Sequence, residues 1–140
     1  VPTDASAPLV WRPIAARKRP DKALVALVSR RHGDPRSEEI LAAMGVTERR
    51  SASSSLKFCL VAEGEADLYV RCGPTMEWDT AAGDHILTSA GGMSVISGGG
   101  PLSYGGGERD YRNGPFAATG DPALRDRLAL LLRDSQGVTS

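Results

Sequence analysis

The apolar positions along the chain fall into two kinds of pattern. Ala23-Leu24-Val25-Ala26-Leu27-Val28-Ser29 is a continuous apolar run of strand length. Such a run predicts a strand buried on both faces, as in a parallel sheet. Ala66 to Arg71 alternates instead, as a strand with two unlike faces does. Met93 to Ser97 and Pro115 to Thr119 read as further short strands. Helical patterns lie between them. Asp34-Pro35 supplies an N-cap and a proline at the first helical position, Ile40, Leu41 and Met44 form the apolar stripe, and Gly45 stops the helix. Ser53 to Ala62 reads as a second helix behind a serine cap. It is apolar nearly all round through Leu56, Phe58, Cys59, Leu60 and Val61, which predicts deep burial. Asp79 to Ser89 reads as a third helix with Asp79 as its cap, ended by Gly91-Gly92, and Asp121-Pro122 opens a final Leu-rich helix.

Strands alternating with helices predict an α/β fold, a layered mixed sheet with flanking helices. The expected organisation is a lead-in over 1–22, one domain over 23–134 and a tail over 135–140. Pro2, Pro8, Pro13 and Pro20 keep the lead-in from being a helix or a central strand. Its basic run Arg17-Lys18-Arg19 reads as a solvated linker, with phosphate binding as the alternative. The 140 residues are the length of a single domain, and 41% hydrophobic residues suffice for a core.

Charge adds one asymmetry. Seventeen Lys and Arg balance seventeen Asp and Glu overall. Residues 1–60 nevertheless hold 11 basic against 6 acidic side chains, and residues 61–140 hold 6 against 11. A neutral chain argues against a nucleic-acid polymer as partner. No apolar stretch approaches the roughly 20 residues that span a bilayer, so no membrane partner is expected. Cys59 and Cys72 form neither a disulfide framework nor a metal-ligand spacing, and two reduced thiols predict a cytoplasmic location.

Candidate chemistry concentrates at four places. Ser97 to Gly107 is rich in glycine, but no Gly-Lys-Ser/Thr follows, so it reads as a flexible hairpin and not a phosphate loop. Lys57 falls in the first turn of its helix, against the local field. An exposed lysine behind a serine cap is one reading, and a lysine facing an anion beside Ser53, Ser54 and Ser55 is the other. Ser29-Arg30-Arg31-His32 follows the carboxyl end of the first strand, where α/β sheets bind ligands, although an incidental polar loop has the same pattern. Asp79 is an ordinary cap or one ligand of a hard metal such as Mg²⁺.

Four blocks carry a resemblance. Glu77-Trp78-Asp79-Thr80-Ala81-Ala82-Gly83-Asp84 is similar to the WDxAAG signature of the inositol monophosphatase-like phosphatases. Ser54-Ser55-Leu56-Lys57-Phe58-Cys59-Leu60-Val61-Ala62-Glu63-Gly64 with Ala66-Asp67-Leu68-Tyr69, Gly73-Pro74-Thr75-Met76, and Ser29-Arg30-Arg31-His32 narrow the likeness. Together they resemble the 3'(2'),5'-bisphosphate nucleotidases, the CysQ type, over about residues 23–119. The resemblance implies removal of the 3'-phosphate of adenosine 3',5'-bisphosphate with Mg²⁺, a step that serves sulfur assimilation. It implies that Asp79 binds metal beside the substrate, that Ser29 and His32 contact substrate, and that Ser53 and Lys57 belong to the substrate-binding loop and helix start.

The departures matter as much. Ser53 stands where the family often has Gly, Val70 where many members have Pro, and His85 takes no role. The family's metal-binding Glu and its Asp-Pro-x-Asp-Gly-Thr segment have no counterpart in the sequence. The likeness therefore covers the C-terminal half of the inositol monophosphatase-like sandwich. With no catalytic residue assigned in this half, the chain alone is expected to be inactive and the N-terminal half of the enzyme is its expected partner. The alternatives are an inositol-phosphate or fructose-1,6-bisphosphate phosphatase half, and a non-catalytic nucleotide- or protein-binding domain whose exposed apolar patch drives homodimer formation.

Overall fold

The first strand, β1 (Leu24–Val28), buries both of its faces: Leu24 and Ala26 point into one apolar cluster, Val25 and Leu27 into another. The computed structural model describes residues 6–21, 23–30 and 33–136. In chain order β1 is followed by α1 (Pro35–Ala43), β2 (Val46–Ser51), α2 (Leu56–Ala62), β3 (Leu68–Arg71), β4 (Thr75–Met76) and α3 (Glu77–Ser89). Then come β5 (Met93–Val95), β6 (Arg112–Asn113), β7 (Phe116–Thr119) and α4 (Arg125–Gln136), with short 3-10 turns at Gly107–Arg109 and Pro122–Leu124.

Five strands form one sheet in the order β2-β1-β3-β7-β5. β2 and β3 run parallel to β1, whereas β7 is antiparallel to β3 and to β5, so the sheet is mixed, as expected from the sequence. β4 and β6 make a separate antiparallel pair. Helices cover both faces. Ile40 and Leu41 of α1 and Leu128 and Leu132 of α4 pack with Leu24, Leu68 and Val70. Phe58 and Val61 of α2 and Leu87 of α3 pack with Leu27, Tyr69 and Phe116. Leu24, Leu41, Leu68, Leu128 and Leu132 are each at most 1% exposed, and burying one leucine contributes roughly 1.5–3 kcal/mol.

The structure departs from the sequence pattern in several places. β2 has no apolar alternation: within Val-Thr-Glu-Arg-Arg-Ser only Val46 is buried. It exists because its backbone pairs with β1 from Leu24–Val46 to Val28–Ser51, and its charged side chains suit a sheet edge. The pair β4–β6 is likewise a product of long-range pairing that no local period signals. α2 begins at Leu56, not at Ser53, because Ser54 adopts a left-handed backbone with φ 45°. Leu56 is 53% exposed, so this helix is buried on one side only. α3 begins at Glu77, two residues before Asp79, which is its third residue and no cap; the Asp79 carboxylate turns back to accept the Met76 N–H at 2.9 Å. Asp34 caps α1 as predicted, accepting the Ser37 N–H at 2.7 Å. Asp121 accepts the Ala123 N–H at 3.0 Å but caps the 3-10 turn Pro122–Leu124, and α4 follows only from Arg125.

The basic run is held against the domain. Arg17 makes a two-pronged ion pair with Asp67 at 2.8 and 2.9 Å. Asp67 also accepts the Val25 N–H at 2.8 Å, and the Arg19 N–H donates to Asp121 at 2.8 Å. Arg17 is therefore no solvated linker cation. α2 and α3 approach closely because Gly83 has no side chain: a Cβ there would lie 2.6 Å from the Phe58 ring. That contact brings α2 close to the middle of α3, and both helices contribute residues to the site described next.

Candidate active site

Three segments converge at the carboxyl end of β3. Ser54 and Ser55 come from the turn into α2, Tyr69 and Arg71 from β3, and Thr75 with Asp79 from β4 and the first turn of α3. They border a cavity of about 230 Å³. Ligands in open α/β sheets bind just beyond the carboxyl ends of strands, and this cavity lies there.

Arg71 supplies the cavity's cation. Its Nε is buried with no hydrogen-bond partner among the described residues, while one terminal nitrogen donates to the Pro74 carbonyl at 3.4 Å. Arg71 lines the cavity, and a guanidinium fork can pair with an anion there. Asp79, exposed and lining the same cavity, supplies the carboxylate. The cavity thus presents one cation, one anion and the hydroxyls of Ser54, Ser55, Thr75 and Thr80, a set able to bind a phosphate ester.

Lys57 is buried, 1% exposed, and does not line the cavity. The exposed-lysine reading is wrong because the helix turns this side chain inward over Tyr69, with Nζ 5.0 Å from the ring centroid. Nζ also donates to the Ser54 carbonyl at 3.4 Å. Burial pushes the ammonium pKa down from 10.5, and the nearby Arg71 charge pushes it the same way. Burial raises the Tyr69 phenol, which Arg71 partly offsets.

The other predicted residues are placed less directly. Ser53 is exposed and outside the cavity; its carbonyl accepts the Leu56 N–H at 3.2 Å. Ser29 borders a separate, narrow cavity of about 20 Å³ with Asp34 and Glu38, joined to the first only through the shared walls Tyr69 and Arg71. His32 lies outside the described residues. Arg71, Tyr69 and Thr75 were not singled out from the sequence. The one available signal was that Arg71 closes the alternating strand with a charge at its carboxyl end.

Glu77, two residues before Asp79, braces the helix start. It accepts the N–H groups of Gly105 and Gly106 at 2.8 and 2.9 Å and pairs with Arg109 at 3.1 Å. Burial alone would raise its pKa, but the Gly106 and Gly105 donors and Arg109 together hold it below the ordinary value. Among the described residues no three of His, Cys, Asp and Glu gather where they could hold a metal ion. One carboxylate does not make a Mg²⁺ site, so these residues do not fit a complete one.

The family model of the inositol monophosphatase family matches residues 8–137. The chain belongs to the inositol monophosphatase family. It is 48% identical over 80 residues to the 3'(2'),5'-bisphosphate nucleotidase CysQ of Escherichia coli K12, a match that covers 57% of this chain and 32% of that protein. The crystal structure of CysQ from Bacteroides thetaiotaomicron superposes with a TM-score of 0.64 at 38% identity, over 77% of this chain and 40% of the other. The Thermotoga maritima inositol monophosphatase TM1415 superposes at 0.67 over 89% of this chain and 46% of the other; at 18% identity it speaks for the fold alone. The chain spans about a third of the length of the curated CysQ relatives it matches. The fold and family implied by the sequence blocks are thus the observed ones. Among the described residues, no helix is long and apolar enough to cross a membrane.

Proposed function

We propose that the chain forms the substrate-binding wall of a Mg²⁺-dependent 3'(2'),5'-bisphosphate nucleotidase acting on adenosine 3',5'-bisphosphate. The observation that carries this reading is that Arg71 and Asp79 line one cavity together with Ser54 and Ser55. In this reading Arg71 and the Ser54 and Ser55 hydroxyls hold a phosphate. Lys57 acts from beneath by fixing the Ser54 carbonyl. By the family likeness alone, Ser29, Ser53 and His32 are assigned to substrate contact. Asp79 would be one ligand of the metal, which when bound would stabilise charge on the phosphoryl oxygens. The remaining ligands come from a companion segment, the N-terminal half in the family's architecture. The exposed run Leu9-Val10-Trp11, each residue at least 68% exposed, gives that companion or a second copy an apolar face to cover. A cytoplasmic setting suits Cys59 and Cys72, which are not joined in a disulfide.

The test is calorimetric titration of the 140-residue chain with adenosine 3',5'-bisphosphate, alongside a phosphate-release assay in Mg²⁺. Saturable binding is expected, weakened about tenfold or more in R71Q, with no release by the chain alone. Binding unchanged in R71Q overturns the cavity assignment. Release of phosphate by this chain overturns the incomplete metal site. Tighter binding of inositol monophosphate overturns the nucleotide assignment.

A further inference from the structure

A second cavity, of about 240 Å³, shares no lining residue with the first, and no step of the reading above uses it. Asn113 is the partition. It lines the second cavity, and its Nδ2 donates to Thr75 Oγ1 at 3.2 Å and Thr80 Oγ1 at 3.0 Å, both on residues that line the first.

The lining of this second cavity has a definite chemistry. Arg109 and Arg112 border it, and among the described residues no Asp or Glu does. Arg109 is tied on one side to Glu77 at 3.1 Å and loosely to Glu108 at 3.9 Å. Arg112 is exposed and has no ion pair among the described residues. Two guanidinium groups on one concave surface with no lining carboxylate make a positive hollow, and the guanidinium fork matches phosphate oxygens two at a time. Ile96, Leu102 and Pro115 supply an apolar side to the same hollow. The volume is below the roughly 300–1,000 Å³ of sites for drug-sized ligands, which restricts the occupant to a small ester.

We infer that this cavity is a second anion site that takes a compact phosphate monoester, with the phosphate on Arg112 and the outer edge of Arg109 and the organic body against Leu102, Ile96 and Pro115. The ester serves as the ligand of a site distinct from the Asp79 cavity, and the Asn113 hydrogen bonds separate the two.

Phenyl phosphate is the probe. The 140-residue chain is titrated while NMR follows the arginine Nε–H groups and the backbone amides. The expected result is a saturable shift at Arg112 and Gly114, with affinity reduced about tenfold or more in R112Q. Arg112 is exposed, so R112Q retains the fold, and a thermal melt checks this; R109Q gives a second, smaller loss. Inorganic phosphate binds there several-fold more weakly because it lacks the apolar body. No saturable shift at Arg112, or R112Q binding like the parent chain, overturns the site, and equal binding of inorganic phosphate overturns its apolar half. Ser54 and Ser55 amides report the first cavity separately: a saturable shift there with none at Arg112 overturns the second site while leaving the first reading standing.

Discussion

The Lys57 ammonium donates to the carbonyl of Ser54 at 3.4 Å, and Ser54 is held in a left-handed backbone at φ 45°. A residue other than glycine rarely adopts this conformation, and it costs of order 1–3 kcal/mol unless the surroundings impose it. The bond from a buried cation is one such restraint. It places the two serine hydroxyls at the lip of the cavity shared with Asp79 and Arg71.

Replacing Lys57 by Met keeps the packed stem and removes the charge. Lys57 has no carboxylate partner among the described residues, and its pKa is lowered from 10.5 by burial first and by Arg71 second. K57M is therefore expected to be neutral or stabilising by about 1 kcal/mol at pH 7, while phosphate-ester binding falls as Ser54 loses its restraint. The pH dependence has a definite sign. Between the lowered folded pKa and 10.5 the unfolded chain binds more protons than the folded one, so the Lys57 contribution to stability improves as pH rises through that window. Chemical denaturation of the parent chain and K57M at stepped pH should show the difference between them shrinking toward pH 10.5.

Tyr104 gives the opposite slope. Its hydroxyl donates to Asp84 at 2.8 Å, and the other Asp84 oxygen is buried without a partner among the described residues. Burial first, then Asp84, raises the phenol from 10.0 to about 12. The folded chain keeps this proton longer than the unfolded one, so the contribution is complete below pH 10 and is lost as pH rises toward about 12. Y104F should lose about 1.5 kcal/mol at neutral pH, the lower end for a hydrogen bond to a charged group because Tyr104 is partly exposed. It should also lack the parent's decline above pH 10. Equal slopes in the two proteins would show that the Tyr104–Asp84 bond does not hold the phenol proton.

Gly83 tests the contact between the two helices that frame the site. In G83A the new methyl would meet the Phe58 ring at 2.6 Å, and overpacking of this kind costs about 1–3 kcal/mol. A lower melting temperature is expected, with weaker ligand binding as α2 is pushed away from α3. F58L in the same chain should restore part of both. A melting temperature unchanged by G83A would mean that the helices separate at no cost.

Much of this architecture was legible locally. The unbroken apolar run of β1 specifies burial on both faces, the alternation of β3 separates Leu68 and Val70 from Tyr69, and Asp34-Pro35 fixes the start of α1. β2 was not legible, because an edge strand that buries only Val46 carries no apolar period; its existence depends on the neighbouring backbone of β1. The start of α3 was misplaced for a related reason: Asp79 serves the helix end equally well from its third position, by reaching back to Met76.

The amino-acid order by itself determined the layers, the family and the segment that bears Asp79, since caps, periods and short blocks act over a few neighbouring residues. Only the folded arrangement decided which side chains meet. It turned Lys57 inward beneath Ser54 and brought Arg71 to the same hollow as Asp79. It also set Arg109 and Arg112 around another hollow that Asn113 lines. These outcomes rest on segments distant in sequence packing against one another, and the direction of a long polar side chain is settled by what the packed neighbours leave room for.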